Sequence, residues 1–388
     1  MAQGEPGGER VGAAALHEFA RTSFERAGLA ADEAAVAASV LVKTSLRGID
    51  THGIALLPGY VRALRSGRVS ARPEMHFTTS GPSTAVLDAD GGLGVLAAFR
   101  AMNAAIEMAR HAGVGVVGVR RSSHFGAGAY YAMMAVPHRM IGIAASNGPP
   151  VMAPFGGRRA ALHNMPIAAA VPAGQEPPVV MDFALSVAAA RRIALAAEQG
   201  VPIPEGWALD AEGRPTTDPN RAREGAVLPL GHKGYALAVL IDILTGVLTG
   251  AGFGPHIPFG ARPAGSGIGG AAVQGNAGRE DRVDDGKGSE EPASPSPAAG
   301  GTGHLFVALN VAFFMRPAEF EARVDRLIRD LRSVPPIDPG RPVMVPGERS
   351  ARIQQERLQQ GVPVWPSLRR RLEELAEELG VPSPFERA

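Results

Sequence analysis

The chain has 388 residues, of which 45% are hydrophobic, 20% charged and only 5% aromatic, enough for roughly two or three packed units with a core built mostly from Ala, Val, Leu and Ile. Its 39 basic and 38 acidic residues leave a net charge of +1, so no strong field draws nucleic acid or an acidic membrane surface. The absence of cysteine excludes disulfides, thiolate nucleophiles and Cys-ligated zinc.

The opening stretch, "MAQGEPGGERVG", carries acids early and no apolar core, which argues against a signal peptide and makes the cytoplasm the expected location. Residues 13 to 48 place apolar groups at helical spacing, broken near Gly28 and resuming around Asp32, which predicts two helices. "HGIALLPGYVRALRSGRV" predicts another, with Pro58 at a break or in an early turn. "TAVLDADGGLGVLAAFRAMNAAIEMARHAG" reads as strand, glycine-rich turn and a long helix ending at Gly113, and "VGVVGVRR" follows as a buried strand. After "SSHFG" come a helix in "AGAYYAMMAVPHR" and a strand in "MIGIAASN". Residues 149 to 190 alternate turns with short strands, "VAAARRIALAAEQG" is helical, and "IPEGWALDAEGRPTTDP" has the chemistry of a small hairpin.

"HKGYALAVLIDILTGVLTGA" has the strongest helical apolar pattern, and Asp242 and the glycines interrupt it too often for a membrane span. From 263 to 303 the chain has no aromatic and only three large aliphatics, too little apolar area to offset its ordering entropy, so disorder is expected there. "GHLFVALNVAFF" reads as a strand, and 318 to 335 and 366 to 380 as amphipathic helices. Helices and strands mixed in this way give an α/β protein. The glycine fingerprint of the Rossmann fold is missing, since the nearest stretch, "DADGGLGVLAAF", lacks the pattern.

Several residues are candidates for chemistry. His52, between Thr51 and Gly53, reads from spacing alone as a helix-end cap, a packed core residue or a proton carrier. His124, at the end of a buried strand and before a glycine-rich turn, stands where ligand crevices commonly form. Lys233 precedes a long helix, a natural anion site, and otherwise is a solvated surface lysine. Asp182, at the end of an apolar strand, could accept a ribose, orient a histidine or cap a helix. His52, His124, Asp182 and His232 stand at no metal-ligand spacing, and no G-x-S-x-G occurs, so neither a metal nor a serine nucleophile is expected.

Taken in order, "SLRGIDTHGIALLPGYVRALRSGRV", "GVGVVGVRRSSHFGAGAYYA", "IGIAASNGPPVMAPFGG", "MPIAAAVPAG", "VVMDFALSVAAARRIALAAEQGVPIPEGWALDAEGRPTTDP", "HKGYALAVLIDILTGVLTGA" and "VPGERSARIQQERLQQGVPV" resemble the malate/L-lactate dehydrogenase family of NAD(P)-dependent oxidoreductases. This family includes sulfolactate, ureidoglycolate and 2,3-diketogulonate enzymes and reductases of cyclic imino acids. The resemblance implies a non-Rossmann α/β fold with helical N- and C-terminal parts and a central β-rich cofactor domain. It divides the chain into a helical part at 1–75 packing with 318–388, a catalytic part at 76–148, a cofactor-binding part at 149–262, the insert at 263–303 and a C-terminal strand and helices at 304–388. It also implies a homodimer, NAD or NADP as cofactor, and a small-molecule substrate.

By the same resemblance, His52 and His124 are the catalytic candidates, one of them carrying the proton. Arg47, Tyr60 and Asn147 fall on the substrate side, and Gly148, Met181, Asp182, Phe183, Lys233, Gly234, Gly347 and Glu348 on the cofactor side. The chemistry implied is reduction of a small 2-oxo acid, hydride coming from the nicotinamide and the proton from a histidine, with an adjacent cation steadying the forming oxyanion. The alternatives are reduction of a cyclic imino acid, or a silent nucleotide-binding member. The chain departs from the family pattern at Leu56, where a carboxylate-gripping arginine is usual, at Gly59, and at His163, where the turn "HNMP" replaces "G-T-N-P". Another cation, such as Arg47, has to hold the substrate carboxylate.

Overall fold

The computed structural model describes residues 8–257 and 301–385; the segment expected to be disordered lies outside them except for its last three residues. A short strand, β1 (Glu9–Val11), precedes α1 (Ala13–Arg26) and α2 (Ala31–Leu46). Then come two 3-10 turns, Asp50–His52 and Ile54–Leu56, and α3 (Leu57–Arg65). The expected single helix is thus broken at Gly53, and Pro58 sits in the first turn of α3, where its missing N–H removes no helical bond. The strands β2 (His76–Gly81) and β3 (Thr84–Asp88) lead to α4 (Gly94–Ala112), β4 (Val114–Ser122), α5 (Gly128–Met134) and β5 (Met140–Ser146).

After β6 (Ile167–Val171) and β7 (Val179–Phe183) the chain forms α6 (Ala190–Glu198), the hairpin of β8 (Ala208–Leu209) and β9 (Pro215–Thr216), α7 (Pro219–Glu224) and β10 (Ala226–Val227). The helix α8 (Gly231–Asp242) widens into a π-helical turn at Ile243–Val247. The last elements are β11 (Thr302–Asn310), α9 (Pro317–Arg332), α10 (Glu348–Gln360), β12 (Val362–Val364) and α11 (Pro366–Leu379). Thr302 and Gly303, expected to be disordered, belong to β11 instead, because Thr302 pairs with Ser122.

Among the described residues, seven strands form one sheet in the order β2-β3-β4-β11-β5-β6-β7, antiparallel throughout except for β3 beside β4. On one face lies α4, whose Ala97, Ala101, Ala105 and Ala109 recur every fourth position and are fully buried, letting the helix approach closely. The same core takes in α1, α2, α3 and α11, and β1 pairs with β12 to tie the two ends of the chain together. A second core, with Met152, Met165, Ile193 and Ile241, packs between the later strands, α6 and α8. No described helix is long and apolar enough to cross a membrane.

The pairing directions bring the C-terminal ends of β4, β5 and β7 and the start of β11 to one edge of the sheet. That edge carries Ser122, Ser146, Phe183 and Thr302, and the loops after β4 and β5 leave from it.

Candidate functional site

At this edge opens a cleft of about 1220 Å³, lined among others by Arg47, His52, His124, Gly148, Asp182 and Gly347. His52 is placed there by the turn after α2. The Ser45 hydroxyl accepts the Ile54 N–H at 2.9 Å, drawing the turn onto the helix end. A Cβ on Gly53 would stand 2.0 Å from that hydroxyl oxygen, so the position after the histidine has room for glycine alone. Arg357 of α10, 8% exposed, grips both carboxylate oxygens of Asp50 and the Ser45 carbonyl, fixing the turn from the other side. His52 shares a 2.9 Å hydrogen bond between Nδ1 and the Thr51 hydroxyl, and burial pushes its imidazole below the usual pKa.

His124 follows β4 through Arg121, a non-glycine residue held at φ 53°. The Ser123 hydroxyl accepts the Gly94 N–H at 2.9 Å, anchoring this loop on the start of α4. Tyr60 Oη lies 2.6 Å from His124 Nδ1, and the His52 and His124 rings stand 5.7 Å apart. Burial raises the Tyr60 phenol pKa, so it is a neutral hydroxyl. A phenol hydrogen given to Nδ1 puts the proton of a neutral His124 on Nε2, and a phenol oxygen accepting from Nδ1–H leaves Nε2 bare. Tyr60 is itself 2% exposed and does not line the cleft.

Arg47, at the end of α2, is 8% exposed and lines the cleft. Its Nη1 donates to Gln354 at 3.2 Å, while its buried Nε has no hydrogen-bond partner among the described residues. Burial lowers its pKa, and the charge of Asp182 opposes that shift. Asp182 accepts the Ala129 N–H at the start of α5 at 2.9 Å. Its carboxylate opens to solvent in the cleft, yet the surrounding walls desolvate it and push its pKa up to about 6, against the pull of the Ala129 bond and of Arg47. Met181 and Phe183 flank it on the same wall.

The other expected residues divide. Gly148 lines the cleft beside the His163 ring, whose Nδ1 is 2.8 Å from the Pro149 carbonyl. Asn147 is 2% exposed and its amide is used internally: it donates to Asp242 at 3.1 Å and to the Gly252 carbonyl at 2.8 Å, and accepts the Gly303 N–H at 2.8 Å. Gly347 lines the cleft at φ 94°, where a Cβ would stand 2.8 Å from the Val180 nitrogen. Glu348 is buried beneath it, accepting the Val345 N–H at 2.9 Å and paired with Arg332 and Arg352, which hold its carboxyl below the usual range. Lys233 is exposed and Gly234 packs against Leu230; neither lines the cleft.

Sequence reasoning passed over three residues that shape this region. Arg357 is one. Asn164 is another; it lines the cleft with a buried Oδ1 that has no partner among the described residues. The third is His304, whose signal was a lone imidazole within the apolar run "HLFVAL". It is fully buried, bonded to Ser146 and Ser122 and stacked on Phe125, and burial pushes its pKa down to about 3.

A family model described as malate/L-lactate dehydrogenase matches residues 11–373. The chain is 35% identical over 359 residues to L-sulfolactate dehydrogenase of Methanocaldococcus jannaschii, covering 92% of this chain and 94% of that one. It is 31% identical over 375 residues to malate dehydrogenase of Pyrococcus abyssi, with 94% of each covered. Its fold superimposes on the crystal structure of delta1-piperideine-2-carboxylate reductase from Pseudomonas syringae with a TM-score of 0.77, at 26% identity and covering 95% and 100% of the two chains.

Proposed function

Since this chain belongs to the malate/L-lactate dehydrogenase family, we propose that its cleft exchanges hydride between NAD(P)H and a small 2-oxo acid, with His124 carrying the proton and Arg47 holding the substrate carboxylate. The observation that carries this reading is one cleft lined by both a tyrosine-bound histidine and an arginine at the end of α2.

The cleft fits a dinucleotide as well. Its volume exceeds the roughly 300–1,000 Å³ of ordinary small-ligand pockets. Gly148, Met181, Asp182, Phe183 and Gly347 are the residues that would hold the cofactor. When bound, the nicotinamide supplies or accepts the hydride. Everything else falls to the chain. Arg47 orients the acid, and His124 delivers a proton to the substrate oxygen as charge develops there. Tyr60 supports both states of that ring, since its oxygen accepts from Nδ1–H in the protonated ring and still does so after Nε2 has given up its proton. His52, kept neutral by burial, adds no positive charge against a protonated His124. We therefore read His124 as the proton carrier and His52 as a wall of the site.

A cyclic imino acid presents the same carboxylate beside a C=N bond, so the same residues would serve it. Leu240, Ile243, Val247 and Leu248 form an exposed apolar stripe along α8 and its π turn, which supports pairing of two copies there.

The test is a panel of 2-oxo acids and cyclic imino acids, followed at the reduced-nicotinamide absorbance with NADH and NADPH. His124→Ala should lower kcat by about 10²- to 10⁴-fold while the cofactor still raises the thermal midpoint. An unchanged kcat removes His124 from the proton step. No midpoint shift with either cofactor overturns the reading as a whole.

A further inference from the structure

The strand β11 lies between β4 and β5, and its first residues touch both loops that build the cleft. His304 stands at that point, fully buried, with Nδ1 2.8 Å from the Ser146 hydroxyl and Nε2 2.9 Å from the Ser122 hydroxyl. Ser122 lies two residues before His124, and Ser146 directly precedes Asn147. The imidazole also stacks on Phe125, the residue after His124, with centroids 4.8 Å apart and planes at 6°. We propose that His304 is a positioning residue that sets the separation of the His124 loop from the Asn147–Gly148 loop. The proposal rests on the reading of His124 as proton carrier.

Each serine hydroxyl has a carbonyl in reach, Ser146 that of Asn147 at 2.8 Å and Ser122 that of Ser123 at 3.5 Å, so each oxygen can accept a ring N–H or turn its hydrogen to a bare ring nitrogen. The ring therefore ties Ser122 and Ser146 together in either tautomer. The neighbouring residue strengthens the tie, because Gly303 N–H donates to Asn147 Oδ1 at 2.8 Å and the Asn147 N–H donates to the Gly303 carbonyl at 3.1 Å.

Packing alone does not account for an imidazole here. An apolar side chain would fill the space between the strands without the cost of desolvating two ring nitrogens. What the ring adds is a fixed distance between two serines that carry the two loops. Chemistry is sensitive to such distances, since a misplacement of about 1 Å can lower rates by about 10²-fold.

The test compares His304→Phe and His304→Gln in the full chain, with kcat, KM for substrate and for NADH, and the thermal midpoint with and without NADH. Phe keeps the stack on Phe125 and loses both hydrogen bonds; Gln can restore a donor and an acceptor. The expected result for His304→Phe is a kcat lowered about 10- to 100-fold, KM within about threefold of wild type, and a midpoint that NADH still raises. His304→Gln should recover part of the kcat. Ser122→Ala and Ser146→Ala keep the ring and each remove one tether, so they decide the matter if His304→Phe does not fold; each should lower kcat several-fold. A folded His304→Phe with wild-type kcat, or serine variants both within twofold of wild type, would overturn the proposal. Wild-type protein that binds no cofactor and turns over nothing in the panel would instead sink the functional reading beneath it.

Discussion

Leu56 is half-buried in the cleft wall, and with Ile49 and Ala55 it puts apolar surface on both sides of His52 in the chain. On the proposed reading, a 2-oxo acid held by Arg47 would meet hydrocarbon at this wall, which favours an apolar tail over a second anionic group. Leu56→Arg places a cation there, and a charge-assisted hydrogen bond of about 1.5–3 kcal/mol corresponds to roughly 10- to 100-fold. The ratio of kcat/KM for oxaloacetate over 2-oxobutanoate should rise by that order in the variant; an unchanged ratio removes residue 56 from the substrate wall. At this scale the sequence carried much of the site. His52 was legible because Gly53 is forced by the Ser45 contact and so leaves a mark in the motif. Asn147, placed on the substrate side, lines the cleft, and its amide partners lie 95, 105 and 156 residues away, beyond any local pattern. Tyr60, placed on the substrate side, bonds His124 across 64 residues, a contact that no local pattern reveals.

Among the elements, the amphipathic helices were legible from spacing, because burying one face forces a 3.6-residue period. The three-residue strands β1 and β12 carry no such period, and nothing local distinguishes them from loops. The helix α10 was the costliest omission. "ERSARIQQERLQQ" looks like a solvated polar helix, and only the structure shows Arg357 buried against Asp50 and the end of α2. Removing one partner of a buried pair leaves the other charge uncompensated, at about 3–5 kcal/mol where burial is complete. The Asp50 side chain keeps 17% exposure, so the cost falls at or just below the floor of that range. Asp50→Asn and Arg357→Met should each cost about 2–3 kcal/mol in urea unfolding, with a coupling of about 1–3 kcal/mol in the double variant. Additivity within about 0.5 kcal/mol would mean that α10 does not lock the His52 turn through this pair.

At the scale of the molecule, the α/β class followed from the mixture of elements, but the order of the sheet did not. The last strand of the sheet in sequence, β11, enters its middle, and the bond that seats it joins residues 182 apart. Such pairings depend on distant partners and leave no trace in local composition. They also put a titratable ring at the centre of the fold, which acid should expose. His304 has a folded pKa of about 3 against an ordinary value of 6.5, so below 6.5 the unfolded chain binds a proton that the native state refuses. The stability this gives is fully present above 6.5 and is lost as the pH falls toward 3, with a limiting slope of about 1.4 kcal/mol per pH unit for one proton. His52 is shifted in the same direction, while Asp182, raised to about 6 from 3.8, acts oppositely and favours the native state at low pH. Both groups remain in His304→Gln, so the difference between that variant and wild type isolates His304. Urea unfolding at pH 7, 6, 5 and 4 should give a shallower loss of stability for the variant, by up to about 1 kcal/mol per unit between pH 6 and 4. Parallel curves for the two proteins would mean that the ring takes up its proton inside the folded sheet, and that the serine clamp holds a cation as readily as a neutral imidazole.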